Sequence, residues 1–319
     1  MFTTHHVVSI FSVAMMVLGA SVVLGQNYPD KPIRIVSGGV GGSSDVISRL
    51  IAQGISDPLG QPMIIENRPI TRFGEILKGS TPDRYTLLVS GNPVWIGPLL
   101  RDNTRYDPVK DFAPISMLVT TPYVLLAQTS LPVKSVKELI ALAKAKPGVL
   151  NFSSTGVGSA GHLTTELFKS MAGVDMVAIF FKGSAQATLD LISGEVQLTF
   201  TGPASVMPHL KAGRLRSLAV TGAQPSALFP GLPTVAATVL GYESAVIQGM
   251  FAPAKTPATI INRLNQEVVR VLNQTDVKER VISNGYEAAG SSPADLAATV
   301  KSEIAKWGKV LKDAGIKAE

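Results

Sequence analysis

A glycine-rich segment in the middle of the chain has the residue types and spacing of an anion-binding turn. The segment SSTGVGSAGH (residues 153–162) contains Gly156, Gly158 and Gly161, which is the G-x-G-x-x-G spacing of a dinucleotide-binding loop. Glycines let backbone N–H groups point at a ligand, hydroxyl side chains add donors, and the start of the next helix is electropositive. These features suit the pyrophosphate of NAD or a single small carboxylate.

The residues that follow this segment favour the carboxylate. A dinucleotide site needs an acidic residue at the end of the next strand, where it binds the ribose. The next predicted strand, MVAIFF (residues 176–181), is followed by Lys182 and Gly183, while Asp175 precedes it at the wrong end. A dinucleotide loop also belongs with the first strand of its sheet, whereas this loop lies in mid-chain. A nucleotide-dependent enzyme that uses this loop is therefore the alternative interpretation.

A second loop, near the start of the chain, has the same construction. The segment SGGVGGSSD (residues 37–45) combines glycines with hydroxyls and lies directly before a predicted helix. A third segment, SGNP (residues 90–93), adds Ser90 and Asn92 at the end of another predicted strand. Any one of these loops could be an ordinary tight turn. Two glycine- and hydroxyl-rich loops that both open helices favour the binding of a small anion between them.

Groups that could catalyse a reaction are scarce. The chain has no cysteine, which excludes a thiol nucleophile and a disulfide framework. After residue 25 the histidines are His162 and His209, and the spacing suggests no carboxylate to orient either. The motifs of serine hydrolases, zinc proteases and P-loops are missing, and no cluster of His, Asp and Glu has metal spacing. We therefore expect a binding protein and not an enzyme, with no cofactor and no metal.

The composition indicates a globular protein, and its charge pattern favours a small anion over nucleic acid as the binding partner. Of its 319 residues, 45% are hydrophobic and 16% are charged, so there is enough apolar material for two domains with cores of their own. The net charge is +6, but the basic residues are scattered and are not interleaved with aromatics. This pattern argues against nucleic acid as a partner and weakly favours an anionic small molecule.

The N-terminus indicates export. Residues 7–25, VVSIFSVAMMVLGASVVLG, are uncharged and apolar, with small residues near the end. We predict a signal peptide over residues 1–25 and a periplasmic location for the mature protein. The residues before the apolar stretch include no Lys or Arg, which is unusual for a signal. An uncleaved membrane anchor is the alternative, because the stretch is nearly long enough to span a bilayer.

The elements that would position the loops alternate between strand and helix. Short buried strands such as IRIVSG (residues 33–38) and VLNFSS (residues 149–154) each precede a glycine-rich loop and an amphipathic helix. The alternation predicts two α/β domains with parallel sheets, and the tail from about Thr256 has the periodicity of helices. In such sheets the ligand binds beyond the carboxyl ends of the strands, where the three loops lie.

Several longer motifs, taken together from Tyr28 onwards, resemble one known family. They include SDVISRLIAQGISDPLGQPMIIENRP, YDPVKDFAPIS, NFSSTGVGSAGHL, FKGSAQATLDLISGEVQLTF and PHLKAGRLRSLAVTG. The set resembles the substrate-binding proteins of tripartite tricarboxylate transporters, the Bug receptors. The resemblance implies a two-domain α/β fold like that of type II periplasmic binding proteins, with a sheet flanked by helices in each domain and the ligand cleft between them. It implies a domain 1 of residues 26–127 plus 250–319 and a domain 2 of residues 128–249.

The resemblance also implies which residues contact the ligand. In the family the first loop and the mid-chain loop bind a carboxylate of a small organic anion. With the third loop added, the expected ligand-binding residues are Gly41, Gly42, Ser43, Ser44, Ser90, Asn92, Ser154, Thr155, Gly156, Gly158, Ser159, His162 and Thr201. Asp45 is expected to cap its helix, and Lys182 and Trp95 are weaker candidates for the rim or wall of the cleft.

Three departures from the family's pattern bear on the ligand. The first loop lacks the proline and the aromatic residue that the family usually has there, and the segment after Pro69 is shorter. Thr201 stands where the family often has an aspartate, which removes an acceptor and favours a ligand without an ammonium group. The resemblance further implies delivery of the ligand to membrane permease subunits, or to a sensor protein, by a receptor that we expect to be a monomer.

Overall fold

The computed structural model describes residues 28–80, 84–203 and 206–316, and the predicted signal peptide lies outside them. The described chain forms two sheets, each flanked by helices, and we call each sheet with its helices a lobe. The strands of the first lobe are β1 (Ile33–Ser37), β2 (Met63–Asn67), β3 (Thr86–Gly91), β4 (Phe112–Pro122), β10 (Ala245–Pro253) and β11 (Glu287–Ala288), in the spatial order β11-β4-β10-β3-β1-β2. Its helices are α1 (Ser43–Leu59), α2 (Phe73–Gly79), α3 (Asn92–Leu100), α8 (Ala258–Leu272), α9 (Thr275–Ser283) and α10 (Pro293–Asp313).

The second lobe contains the middle of the chain. Its strands are β5 (Val124–Gln128), β6 (Asn151–Ser154), β7 (Val177–Phe180), β8 (Leu198–Thr201) and β9 (Leu215–Val220), in the spatial order β7-β6-β8-β5-β9. Its helices are α4 (Val136–Ala145), α5 (Ala160–Ala172), α6 (Ser184–Ser193) and α7 (Met207–Lys211). The α/β fold with two sheets, predicted from the alternation and from the resemblance, is confirmed.

The sheets are mixed, so the prediction of parallel sheets is wrong in part. β1 pairs in parallel with β2 and β3, and β6 pairs in parallel with β7 and β8. In contrast, β10 runs antiparallel to β3 and β4, and β5 runs antiparallel to β8 and β9. β5 and β10 are the strands by which the chain enters a lobe from the other one. Because no crossover helix returns them to the starting edge, they are free to run in the opposite direction.

The chain passes between the lobes twice, and the two crossings are joined by hydrogen bonds. The first crossing is Tyr123, between β4 and β5, and the second lies in residues 221–244, between β9 and β10. Thr221 Oγ1 accepts from the Tyr123 N–H at 2.7 Å and donates to the carbonyl of Ser244 at 2.6 Å. The chain thus passes from one sheet to the other four or five residues before positions 127 and 249, where the sequence places the domain limits. Those domain limits remain predictions.

A tertiary hydrogen bond compensates for a proline inside α3. Pro98 has no N–H to donate to the carbonyl of Val94, which is four residues earlier in the helix. The hydroxyl of Tyr106 donates to that carbonyl at 2.8 Å. Burial raises the pKa of Tyr106 to about 12, so the hydroxyl keeps its proton. The loop after α3 therefore folds back onto the helix and completes its hydrogen bonding.

α1 uses the same device while it packs on α8. Pro58 leaves the carbonyl of Gly54 without its helical partner, and the guanidinium of Arg270 in α8 donates to it at 3.1 Å. The two helices bury apolar side chains at helical spacing in one core with the first sheet, among them Ile47, Ile51, Ile55, Leu264, Val268 and Val271. This packing fixes the direction of α1 and hence the position of its first turn, which faces the second lobe.

Candidate ligand-binding cleft

A cavity of about 440 Å³ lies between the two lobes, within the size range of small-molecule sites. The first lobe, the second lobe and the crossings all contribute to its wall. The lining residues that bear on the argument are Ser43, Ser44, Ser90, Gly91, Asn92, Ile96, Gly97, Leu100, Arg101, Tyr123, Gly158, Ser159, Leu163, Thr164, Ser244, Gln248 and Trp307. The loops predicted to face each other across a gap are thus brought to one cavity.

The first turns of three helices line this cavity. α1 begins after Gly42 and presents Ser43 and Ser44, α3 begins after Gly91, and α5 begins after Ser159. The first N–H groups of a helix have no partner within it and carry a partial positive charge. Of the residues that line the cavity, none is acidic. The wall therefore provides donors and positive potential, which is the chemistry of an anion site.

Two buried side-chain atoms in the cavity wall lack a hydrogen-bond partner among the described residues. They are Ser90 Oγ, at the end of β3, and Gln248 Oε1, on β10. Gln248 Nε2 donates to Ser43 Oγ at 3.1 Å, which fixes the orientation of the amide. A buried polar atom without a partner is costly, so such atoms usually meet a ligand or water. Ser90 can donate to a carboxylate, whereas Gln248 Oε1 needs a donor such as a bridging water.

A second cavity of about 300 Å³ adjoins the first in the second lobe. The two share Tyr123 and Ala160 in their walls. Its lining is rich in hydroxyls and includes Ser153, Ser154, Thr155, Ser184, Thr188, Thr199 and Thr201. Ser153 Oγ is a further buried atom without a partner among the described residues. This cavity extends the polar end of the cleft towards the start of α6.

Asp45 organises the first loop. Its carboxylate accepts from the Gly41 N–H at 2.9 Å and from Asn67 Nδ2 at 2.8 Å, and it pairs with the Arg49 guanidinium at 2.9 Å. The hydrogen bonds from Arg49, with smaller effects of Asn67 and Gly41, lower the pKa of Asp45 to about 2 despite its burial. Asp45 lines neither cavity. The prediction that Asp45 caps its helix is wrong, because the cap residue is Gly42, without a side-chain cap hydrogen bond, and the carboxylate instead accepts from the preceding loop.

His162 organises the second loop. Its Nδ1 accepts from the Gly158 N–H at 3.1 Å, and its Nε2 lies 3.8 Å from Glu166 Oε1. The ring centroid lies 6.2 Å from that of Phe152 and 5.2 Å from that of Phe180. Burial lowers the pKa of His162, with Glu166 acting in the opposite sense, so the neutral ring supplies the acceptor. Of these groups only Gly158 lines the interlobe cavity.

The glycine spacing has a structural explanation in this loop. Gly158 has a φ of +71°, which favours glycine, and a Cβ there would lie 3.3 Å from Leu100 Cδ2 of the first lobe. A Cβ on Gly161 would lie 2.9 Å from the carbonyl oxygen of Phe200, so this glycine allows α5 to approach β8 closely. Ser159 caps α5 by accepting from the His162 N–H at 3.4 Å, and its hydroxyl lies 2.8 Å from Ser154 Oγ.

Asn92 lines the cavity, but its amide is already engaged. Its Oδ1 accepts from the Ile247 N–H at 2.8 Å, and its Nδ2 donates to the carbonyl of Ala245 at 3.3 Å and to Glu303 Oε2 at 3.0 Å. Glu303 Oε2 also accepts from Trp307 Nε1 at 2.7 Å. Asn92 thus joins α3 to the returning strand β10 and to α10, and it positions the cleft wall.

The predicted site residues divide into three groups. Those that line the interlobe cavity are Ser43, Ser44, Ser90, Asn92, Gly158 and Ser159. Those that line the adjoining cavity are Ser154, Thr155 and Thr201. Those that line neither are Gly41, Gly42, Gly156 and His162, and of the weaker candidates Trp95 is buried in the core and Lys182 is exposed. Ligand contact by any of these residues remains a prediction.

Some lining residues were not expected from the sequence. Arg101 directly follows α3, a helix whose two prolines argue against a helix in the sequence. Gln248 comes from β10 and Trp307 from α10, the last helix. No local signal marks them, because only the topology brings residues near 245 and 307 to the loops at 43 and 158. Over the described ranges, no group of three or more His, Cys, Asp or Glu side chains is placed to hold a metal ion. No helix of those ranges has the length and apolar character needed to cross a membrane.

The chain is similar to members of one family of transporter receptors. The model of a family described as the tripartite tricarboxylate transporter family receptor matches residues 47–316. Protein BugT of Bordetella pertussis is 34% identical over 309 residues, which cover 93% of this chain and 94% of BugT. The structure of R. palustris Rpa4515 with adipate is 36% identical, with a TM-score of 0.72, and covers 92% of this chain and 100% of that one. MatC from Rhodopseudomonas palustris with bound malate is 28% identical, with a TM-score of 0.67, and covers 89% and 100%.

Proposed function

The chain belongs to the tripartite tricarboxylate transporter receptor family, and we propose that it captures a small carboxylate-bearing anion in the cavity between its lobes. Members of this family are solute-binding receptors, so the expectation of a binding protein and not an enzyme is confirmed. The comparisons give the nucleotide-dependent enzyme no support. The glycines that suggested it are explained by the turn at Gly158 and by the close packing of α5 on β8.

One observation carries the proposal. Three helices begin at a single cavity of about 440 Å³, and none of the described residues in its wall is acidic. A carboxylate there accepts from first-turn N–H groups and from the hydroxyls of Ser43, Ser90 and Ser159. Bridging water satisfies acceptors such as Gln248 Oε1, as is common in polar sites. Because the first lobe supplies two of the helices and the second lobe the third, the anion joins the lobes and favours closure about the crossings.

The ligand class is supported by the neighbours and by the wall. Two similar solved proteins hold adipate and malate, both carboxylates. Thr201 lines the adjoining cavity, at the position where the resemblance would place an aspartate. The two cavities share walls that offer hydroxyls and N–H groups but no carboxylate of their own. This chemistry suits an organic acid without an ammonium group.

We propose a periplasmic location, with residues 1–25 as the export signal. The proposal rests on the apolar stretch at residues 7–25 and on membership of the transporter receptor family. Within that setting the receptor acts as a monomer that delivers its ligand to membrane permease subunits or to a sensor protein. Co-purification with such subunits from detergent extracts would distinguish delivery from sensing.

A substitution at the start of α5 tests the site. Aspartate is a good helix cap, so Ser159→Asp keeps the cap of α5 while it adds negative charge to the cavity wall. We expect adipate or malate at 100 times Kd to stabilise the wild type by about 2.7 kcal/mol and to raise its melting temperature. We expect the variant to lose this rise.

The matched control is Ser135→Asp. Ser135 is the serine cap of α4 in the same lobe and does not line either cavity. The Ser135→Asp variant should fold and respond to ligand as the wild type does. A melting temperature that rises with ligand equally in Ser159→Asp and Ser135→Asp would rule out the loop as the anion site. A wild type that responds to NAD and to no carboxylate would favour the nucleotide interpretation.

A further inference from the structure

Arg101 is the only charged side chain among the described residues that line the interlobe cavity. It forms no ion pair with a carboxylate of the described residues, and Asp102, its neighbour in the chain, does not line the cavity. A guanidinium is charged at any physiological pH and presents its N–H donors in a planar fork. With no acidic residue in the wall, its counter-charge has to come from solvent or from the ligand.

α3 places this charge at a distance from the helix N-termini. Gly91 and Asn92 line the cavity at the start of α3, and Leu100 and Arg101 line it at the end. The helix has nine residues, which correspond to an axial length of about 13 Å. The long side chain of Arg101 can extend over part of that length. The cavity therefore has an electropositive end formed by the starts of α1 and α3. At the other end of α3 lies the guanidinium of Arg101, which has no carboxylate partner among the described residues.

Much of the cavity wall is apolar, although Thr164, Ser244 and Gln248 also line it. Ile96 and Gly97 occupy the middle of α3, Leu163 faces the cavity from α5, and Trp307 faces it from α10. Apolar side chains bury methylene groups favourably and offer no partner to a hydroxyl or an ammonium group. The apolar part of the wall therefore suits a hydrocarbon segment with few polar substituents.

We propose that Arg101 binds a second carboxylate, so that the cavity selects linear dicarboxylates over monocarboxylates of the same chain length. This inference rests on the proposed function, because it takes the first carboxylate to lie at the starts of α1 and α3. Guanidinium and carboxylate form paired, charge-assisted hydrogen bonds that are stronger than neutral ones. The second-lobe loop approaches Leu100, the residue before Arg101, at Gly158. The pair would therefore form where the two lobes meet.

The test compares adipate with hexanoate, which share a six-carbon chain and differ by one carboxylate. Titration calorimetry would measure both ligands on the wild type, on Arg101→Gln and on Arg105→Gln. Arg105 is exposed, lies four residues further along the chain and does not line the cavity, so it controls for the loss of one positive charge. A series from succinate to suberate would locate the preferred length.

We expect Arg101→Gln to weaken adipate binding about 10- to 100-fold and to leave hexanoate binding within about twofold. Arg105→Gln should leave both affinities close to those of the wild type. The role of Arg101 would be overturned if the wild type bound each dicarboxylate and its matched monocarboxylate with equal affinity. It would also be overturned if Arg101→Gln and Arg105→Gln had equal effects. In both cases the proposed function would stand. If the wild type bound no mono- or dicarboxylate, the proposed function itself would fail.

Discussion

His162 links protonation to the shape of the second loop. Its neutral ring accepts the Gly158 N–H, and Glu166 and Lys169 are the charged groups that influence it from the same helix. The face of the ring towards the sheet meets Phe152 and Phe180, which provide no charge. A proton on Nδ1 would remove the acceptor and place a cation in this apolar surrounding. The loop that lines the cleft is therefore held best when His162 is neutral.

Because of His162, the stability of the fold should decrease as the pH decreases. The pKa of His162 is lowered in the fold below its ordinary value of 6.5, first because it is buried. Below pH 6.5 the unfolded chain therefore binds a proton that the folded chain does not, so stability is lost as the pH falls towards the folded pKa. Denaturant titrations at pH 7.5 and 5.5 should show a smaller loss of unfolding free energy in His162→Asn than in the wild type.

The control for this experiment is His209→Asn, which removes the other histidine of the second lobe and leaves the loop unchanged. If His162→Asn lost as much stability between the two pH values as the wild type, the buried neutral ring would not be the source of the effect.

Residue types in the loops were predictable where the reason for them is local. Ser159 caps α5 and Ser44 accepts from the Gly38 N–H at 3.0 Å, and hydroxyls before a helix signal such roles. The expected capping role of Asp45 was wrong, because its carboxylate accepts from the Gly41 N–H in the loop and not from an N–H group of the helix. The role of His162 was not predictable, because it depends on the ring folding back so that its Nδ1 accepts from the Gly158 N–H. Arg101 could not be found, since only the folded α3 brings it to the cavity.

At the scale of elements, α3 shows where local propensity gives way to tertiary contacts. The sequence of this helix, NPVWIGPLL, contains two prolines and a glycine in nine residues, which argues against a helix. The sequence predicts a loop at residues 90–93 and gives no indication of a helix after it. The helix forms because Tyr106 supplies the hydrogen bond that Pro98 cannot, and because Trp95 packs against Phe251 with ring centroids 5.9 Å apart.

A double-mutant cycle tests this compensation. Tyr106→Phe leaves the carbonyl of Val94 without a donor and should lower the unfolding free energy by about 1 to 3 kcal/mol. In a Pro98→Ala background the restored N–H can donate to Val94, so the same substitution should be less destabilising. Denaturant titrations of the four proteins would measure the coupling. Equal losses in both backgrounds would show that the contribution of the Tyr106 hydroxyl does not depend on Pro98, which would contradict the compensation.

The return strand β10 was the other element missed, and the reason is different. Its residues AVIQGMFAP carry a proline at the end and no clear alternation of polar and apolar residues. It lies between β3 and β4 and is buried along most of its length. The helices of the tail were predictable, because each of them has an apolar stripe at helical spacing. Gln248 reaches the cavity only through this central strand.

At the scale of the molecule, two lobes share a cavity and are joined by two crossings, one of a single residue and one over residues 221–244. Thr221 connects both crossings through Tyr123 and Ser244, so they should move as one unit. α10 of the first lobe reaches the same cavity with Trp307, which places an aromatic reporter in the wall. The two-lobed architecture followed from the alternation of strands and helices. The mixed direction of its strands did not, because it depends on how the chain returns between lobes.

The central claim is that a carboxylate binds in this interlobe cavity, and the emission of Trp307 tests it most directly. The chain has two tryptophans, and the other, Trp95, does not line the cavity, so the Trp95→Phe variant isolates the reporter. Titration with adipate, malate and the matched monocarboxylates should produce a saturable change in emission for at least one of them. Ligands that raise the melting temperature of this variant while the emission of Trp307 stays constant throughout the titration would contradict the claim.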